Sequence, residues 1–141
     1  VMLEYKTMVE NDFMYNTPNT WGIYVLGLML DWVEANGGVA GMAEQAVKKS
    51  QMIYDFIDAS NGYYKNPNEK ASRSKMNVVF RLPNEDLEAK FAKESAAAGM
   101  SNLKGHRSAG GIRASIYNAM PVEGIQFLVD FMKKFMENNP A

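Results

Sequence analysis

With 141 residues, the chain is long enough to bury a hydrophobic core without disulfides, and 47% hydrophobic with 22% charged residues is the composition of a globular domain. The net charge of −1 gives no general reason to expect a nucleic acid or an anionic membrane as a partner. Cysteine is absent and histidine occurs once, which excludes disulfides and thiolate metal sites. We expect no metal and a cytoplasmic location.

The first 17 residues are predicted to be a connecting segment. The chain starts at Val1 without an initiating methionine, so we expect residues 1–17 to lead out of a missing N-terminal large domain and 18–141 to form a C-terminal small domain. Thr17 and Pro18 are typical of a helix start, with Thr17 as the N-cap. The helix that follows is apolar on nearly every side, which predicts that it is covered on several sides.

Three further helices are predicted. One runs from about Val39 to Ala59 after a pair of glycines. Asn84 is expected to cap the next helix, which Gly99 closes, because an amide side chain satisfies free N–H groups at the start and glycine accepts positive φ at the end. Pro121 begins the last helix, which has one apolar and one charged face.

Strands are indicated where apolar residues alternate with polar ones. This two-residue period holds over 76–82 and 112–117, and shorter strands are expected near 63–65 and 102–104. The order of elements predicts an α+β fold with two layers, in which a short, mostly antiparallel sheet has helices packed on one face.

The stretch from Leu103 to Ala119 carries the strongest functional signal. Glycines allow backbone N–H groups to approach a ligand closely, and arginine grips carboxylates and phosphates with a planar fork. Arg113 faces away from the apolar side of its strand, where it can enter a cleft. Taken singly, a lone histidine or lysine is more often a structural or solvated residue. Together the residues indicate an anion site: Lys104, His106, Arg107 and Arg113 around Gly105, Gly110 and Gly111.

The sequence of residues 104–119, KGHRSAGGIRASIYNA, closely resembles the C-terminal signature of the phosphoserine aminotransferase family. Residues 14–18 (MYNTP) and 72–83 (SRSKMNVVFRLP) agree with it. The resemblance implies the small domain of the fold-type I transferases that depend on pyridoxal phosphate. It also implies a homodimeric enzyme of serine biosynthesis, which exchanges an amino group between phosphoserine and 2-oxoglutarate to give 3-phosphooxypyruvate and glutamate.

The resemblance also implies roles for individual residues. Arg113 is similar to the arginine that binds the substrate α-carboxylate, although a surface ion pair is the alternative. His106 and Arg107 resemble the pair that receives the phosphate of phosphoserine or the side-chain carboxylate of glutamate. Asn16 and Thr17 resemble residues that reach the cofactor phosphate of the neighbouring subunit, while Thr17 could equally serve only as a helix cap.

No stretch resembles the family's Schiff-base lysine segment, so no catalytic residue is expected in this chain and the chain alone is expected not to transaminate. Its lysines are predicted to lie on solvated helix faces, where nothing lowers their pKa as nucleophilic catalysis requires, as at Lys48, Lys49, Lys133 and Lys134. Two alternatives stay open. The same fold acts on 4-phosphohydroxy-L-threonine in pyridoxal phosphate biosynthesis, and the chain could be a non-catalytic anion-binding fragment.

Overall fold

A computed structural model describes residue 1 and the ranges 3–107 and 109–140. Ser108, which belongs to the glycine-rich motif, lies outside the described residues. The chain divides into two compact units, Val1–Val39 and Ala40–Ala141. The predicted boundary between residues 17 and 18 concerns a larger protein and stays a prediction.

The first unit contains α1 (Tyr5–Val9) and α2 (Thr20–Ala35). The N-cap of α2 is Asn19, whose side-chain oxygen accepts a hydrogen bond of 3.0 Å from the Gly22 N–H. The prediction that Thr17 caps this helix is therefore wrong, because the amide side chain two residues later satisfies the free N–H group of the first turn.

The apolar side chains of α2 are largely exposed. Trp21 is 73% exposed, Ile23 61% and Leu30 54%. The helix was predicted to be covered on several sides, but the described residues do not bury these side chains.

The second unit holds the other helices and the sheet. Its helices are α3, which begins at the last residues of the first unit, α4 and α5, spanning Gly38–Ala59, Glu85–Ala97 and Val122–Asn138. A 3₁₀ turn occupies Lys70–Ser72. The predicted cap of α4 is confirmed, since the Asn84 side chain accepts a hydrogen bond from the Leu87 N–H at 2.9 Å.

Two antiparallel strands form the sheet, β1 (Asn77–Phe80) and β2 (Ile112–Ser115). Their register places Val78 opposite Ala114 and Val79 opposite Arg113. Both strands are shorter than predicted. The strands expected near 63–65 and 102–104 are reduced to single antiparallel bridges, Lys65 with Arg81 and Lys104 with Ile112.

The core lies on one face of this sheet. Val78, Phe80, Ile112, Ala114 and Ile116 are all at most 2% exposed, which confirms the predicted two-residue period. They pack with apolar side chains of the three helices, including the Phe91 ring of α4, which meets Phe80 edge-on at 5.7 Å. The α+β fold with helices on one face is therefore confirmed, and the opposite face of the sheet is left for polar residues.

Lys49 departs from its prediction. It lies on α3 and is 1% exposed, instead of pointing into solvent. Its Nζ donates hydrogen bonds to the backbone oxygens of Tyr117 at 2.7 Å, Asn118 at 3.4 Å and Met120 at 3.0 Å. Burial lowers the pKa of Lys49 from its usual 10.5, so the expectation that nothing lowers it is wrong. The ammonium group holds the turn after β2 instead of facing water.

Candidate functional site

The glycine-rich segment forms a closed loop ahead of β2. The Gly105 N–H donates to the Gly111 oxygen at 2.8 Å, and the His106 oxygen accepts from the Ala109 and Gly110 N–H groups at 3.0 and 2.8 Å. Gly110 and Gly111 have φ of +68° and +70°, in the left-handed region that favours glycine. The prediction that glycines shape this loop is therefore confirmed.

Two of these glycines are also required by close approach. A Cβ at Gly105 would lie 2.0 Å from the Gly110 oxygen. A Cβ at Gly111 would lie 2.6 Å from the Arg81 Cδ and 2.9 Å from the Phe80 oxygen. The described residues of the loop 105–111, which are 105–107 and 109–111, are thus folded back on themselves and against the end of β1, without room for side chains at Gly105 and Gly111.

A cavity of about 610 Å³ opens beside the loop 105–111. Lys104, His106 and Arg107 contribute to its lining, and His106 and Arg107 are exposed. The wall opposite them belongs to α4 and carries Glu85 and Glu88. Because three basic side chains line this cavity, it suits a small dianion such as a phosphate ester.

The wall of this loop cavity includes an ion pair that the sequence analysis did not identify. The Arg81 Nε lies 2.6 Å from the Glu88 Oε1, and the Glu88 side chain is only 10% exposed. A signal was present in the sequence, because Glu88, Phe91 and Ser95 follow the spacing of one helix face and all three are buried. A glutamate on the buried face of a helix indicates a basic or hydrogen-bonding partner, because an unpaired buried carboxylate is costly.

Arg113 lies apart from the loop cavity, on the polar face of β2. On the same face, the Ser115 hydroxyl and the Tyr117 hydroxyl donate to Asn77 Oδ1 at 3.0 and 3.3 Å. Arg113 lines a second cavity of about 470 Å³, together with Ser101, Asn102 and the apolar residues of α5. The two predicted anion contacts are therefore in different cavities of the second unit.

The Arg113 side chain has an unpaired polar atom. Its Nε is buried and has no hydrogen-bond partner within the described part of the chain. No ion pair of Arg113 is found within the same residues, and no carboxylate lines the second cavity. A buried guanidinium nitrogen without an acceptor is costly, so the site fits an acidic group supplied by a ligand.

Asn16 and Thr17 belong to the first unit and immediately precede the segment that starts α2. Both are exposed. Since Asn19 caps the helix, the Thr17 hydroxyl is not used for that purpose, and the two short polar side chains fit a phosphate group on chemical grounds.

Two classes of site are not found. Among the described ranges, no group of three or more histidine, cysteine, aspartate or glutamate side chains could hold a metal ion. Across the same ranges, every helix is too short or too polar to cross a membrane.

Comparison with known proteins gives a consistent result. Residues 1–128 match the family model described as Aminotransferase class-V. The chain is 51% identical over 138 residues to the phosphoserine aminotransferase of Shewanella sediminis, covering 98% of this chain and 38% of that protein. It is 50% identical over 134 residues to the phosphoserine aminotransferase of Herpetosiphon aurantiacus, covering 95% of this chain and 37% of that protein.

Solved structures are similar to this one as well. The phosphoserine aminotransferase from Bacillus circulans subsp. alkalophilus superposes with a TM-score of 0.92 at 48% identity, covering 97% of this chain and 38% of that chain. The pyridoxal-phosphate-bound phosphoserine aminotransferase from Trichomonas vaginalis gives a TM-score of 0.82 at 39% identity, covering 92% and 37%. The chain thus spans 37–38% of the length of these relatives.

Proposed function

The chain belongs to the class-V aminotransferases, and on that basis we propose that the complete protein is a phosphoserine aminotransferase. It exchanges an amino group between phosphoserine and 2-oxoglutarate, giving 3-phosphooxypyruvate and glutamate, in serine biosynthesis. The complete protein acts as a cytoplasmic homodimer that binds pyridoxal phosphate. The named activity of the relatives that align with 95–98% of this chain supports the choice of substrate.

The observation that carries the proposal is that Arg113 lines a cavity without carboxylates and forms no ion pair among the described residues. Every amino-acid substrate of a transaminase brings an α-carboxylate, which is the acceptor this guanidinium lacks. Arg113 orients that carboxylate from the rigid frame of β2, whose neighbouring side chains Ser115 and Tyr117 are both fixed on Asn77.

His106 and Arg107 bind the second acidic group of the substrate. They line the loop cavity with Lys104, so a phosphate or a side-chain carboxylate there meets several positive groups. Phosphoserine carries both a carboxylate and a phosphate, and glutamate carries two carboxylates. A site with two separate cationic regions therefore suits both half-reactions.

Pyridoxal phosphate, when bound, supplies the electron sink for transamination. Asn16 and Thr17 would hold its phosphate, because their side chains are exposed and the Thr17 hydroxyl is not used in capping α2. The Schiff-base lysine lies outside these residues in our proposal. Among the described residues Lys49 is the buried lysine, but its Nζ donates to three backbone oxygens. The chain by itself is therefore inactive.

The test uses the complete enzyme with two arginine variants. Arg113→Ala is expected to lower kcat/KM about 10- to 150-fold for every amino donor, since one hydrogen bond from a charged donor contributes about 1.5–3 kcal/mol. Arg107→Ala is expected to cause a loss of that size only for phosphoserine and glutamate. Equal and small losses from both variants would contradict these roles.

The substrate is tested separately from the roles. Turnover of phosphoserine and of 4-phosphohydroxy-L-threonine by the wild-type enzyme is compared at matched concentrations. Faster turnover of phosphoserine supports the proposal. A preference for the phosphorylated threonine places the same site in pyridoxal phosphate biosynthesis, and tight binding without turnover of either supports the non-catalytic alternative.

A further inference from the structure

The carboxylate of Glu88 joins two segments that are distant in sequence. Its Oε1 accepts from the Arg81 Nε at 2.6 Å and from the Leu82 N–H at 3.3 Å, and its Oε2 accepts from the Gly111 N–H at 3.2 Å. Both oxygens are therefore occupied, one by the chain after β1 and the other by the end of the loop 105–111.

Arg81 adds a second connection between the same segments. Its Nη1 donates to the Ala109 oxygen at 2.8 Å, while its backbone is tied to Lys65 by two hydrogen bonds of 2.8 and 3.0 Å. The side chain passes so close to Gly111 that a Cβ there would meet the Arg81 Cδ at 2.6 Å. The loop is thus held at Ala109 and at Gly111, which lie between Arg107 and β2 in the sequence.

We propose that Arg81 and Glu88 are positioning residues, which fix the loop 105–111 so that Arg107 and His106 meet the second acidic group of the substrate. The inference rests on the proposed function, because it assigns these two residues a task in binding phosphoserine. Neither residue has to contact the substrate. They act through the backbone of the loop, so the affinity for the phosphate depends on their hydrogen bonds to Ala109 and Gly111 more than on their charges.

The charge of Glu88 makes this inference testable. A carboxylate that lines an anion cavity repels the anion, so electrostatics alone predict that removing its charge strengthens phosphate binding. Positioning predicts the opposite. In Glu88→Gln the side chain keeps its shape, but its amide has one acceptor oxygen and a donor group, so either Arg81 and Leu82 or Gly111 faces a donor instead of an acceptor.

The experiment compares Glu88→Gln and Arg81→Lys with wild type in the complete, cofactor-loaded enzyme. Both variants are expected to raise KM for phosphoserine about ten-fold while changing kcat less than about two-fold, because a displaced loop weakens binding without touching the reacting atoms. Hydrogen exchange at the Gly111 amide should accelerate in Glu88→Gln. Unchanged visible absorbance of the bound cofactor confirms that the variants are folded.

A matched control is offered by Arg73 and Asp58, a two-bonded ion pair at 2.7 and 2.9 Å that lines neither of the two cavities. Asp58→Asn should leave KM for phosphoserine unchanged. An unchanged or lower KM in Glu88→Gln, or unchanged exchange at Gly111, overturns the inference while the proposed function stands. A ten-fold rise in Arg81→Lys with an unchanged KM in Glu88→Gln also overturns it, because the carboxylate then has no part in holding the loop. A wild-type enzyme inactive on phosphoserine overturns the proposed function, and the inference with it.

Discussion

Replacing Lys49 with methionine is expected to destabilise the second unit, although the change removes a buried charge. The Lys49 side chain is 1% exposed, and its Nζ donates to three backbone oxygens in the turn that follows β2. Methionine has a similar length and no donor group. The variant therefore keeps most of the packing and removes the hydrogen bonds.

Two opposing contributions determine the size of the effect. The Lys49 side chain is buried, so its ammonium group loses solvation on folding and its pKa is lowered, and methionine removes this cost. Against it stand three hydrogen bonds from a charged donor, each contributing about 1.5–3 kcal/mol. Tyr117, Asn118 and Met120 are exposed residues, so water replaces part of these bonds in the variant. We expect a net loss of about 1–3 kcal/mol in the free energy of unfolding.

The assay is urea denaturation of the 141-residue chain at neutral pH, followed by circular dichroism. Lys48→Met is the control, because Lys48 is the preceding residue of α3 and is exposed. It should change the free energy of unfolding by less than about 0.5 kcal/mol. A Lys49→Met variant as stable as wild type, or more stable, would show that desolvation outweighs the three hydrogen bonds and would refute the reasoning.

Three further predictions concern pH and the loop. Burial raises the pKa of Tyr64, so the unfolded chain ionises first and stability should fall as pH rises above about 10; urea midpoints should fall less steeply in Tyr64→Phe. The hydrogen bonds from Arg73 lower the pKa of Asp58 to about 2, below its unfolded 3.8, so stability is present above pH 3.8 and is lost as pH falls towards 2. Asp58→Asn should flatten this acid limb, and an unchanged limb would contradict the assignment. Gly105→Ala, whose Cβ would lie 2.0 Å from the Gly110 oxygen, should lower kcat/KM for phosphoserine about 100-fold in the complete enzyme; wild-type kinetics would show that the loop tolerates a side chain.

Local signals predicted the regular elements of the second unit well. Asn84 caps α4 and alternating apolar residues mark both strands, since these features depend on neighbours within a few residues. Strand ends were less predictable. The sheet stops at Phe80 and Ser115. A strand ends where its partner strand diverges from it, and the alternation of residues within one segment does not show where that happens.

Lys49 and Thr17 were predicted incorrectly for different reasons, one distant in sequence and one local. Lys49 was expected in solvent together with the other helix lysines, but its partners lie 68 to 71 residues later in the chain. Thr17 was expected to cap α2 because it precedes a proline, but the cap is Asn19; threonine and asparagine both cap helices, so the residue type alone does not select one. In both cases the residue type indicated the kind of interaction, but the sequence did not indicate which residues make it.

The separation of Arg113 from Arg107 changes how the site is understood. The two arginines are six residues apart in sequence but line different cavities. Arg113 lies on a paired strand, whereas Arg107 lies on a glycine-rich loop that is bonded to Glu88 through the Gly111 N–H. A carboxylate is common to all amino-acid substrates, whereas the second acidic group differs between phosphoserine and glutamate. Under the proposed function the strand binds the constant group and the loop the variable one, so substitutions at Glu88 should alter substrate preference while those around Arg113 alter activity on all substrates.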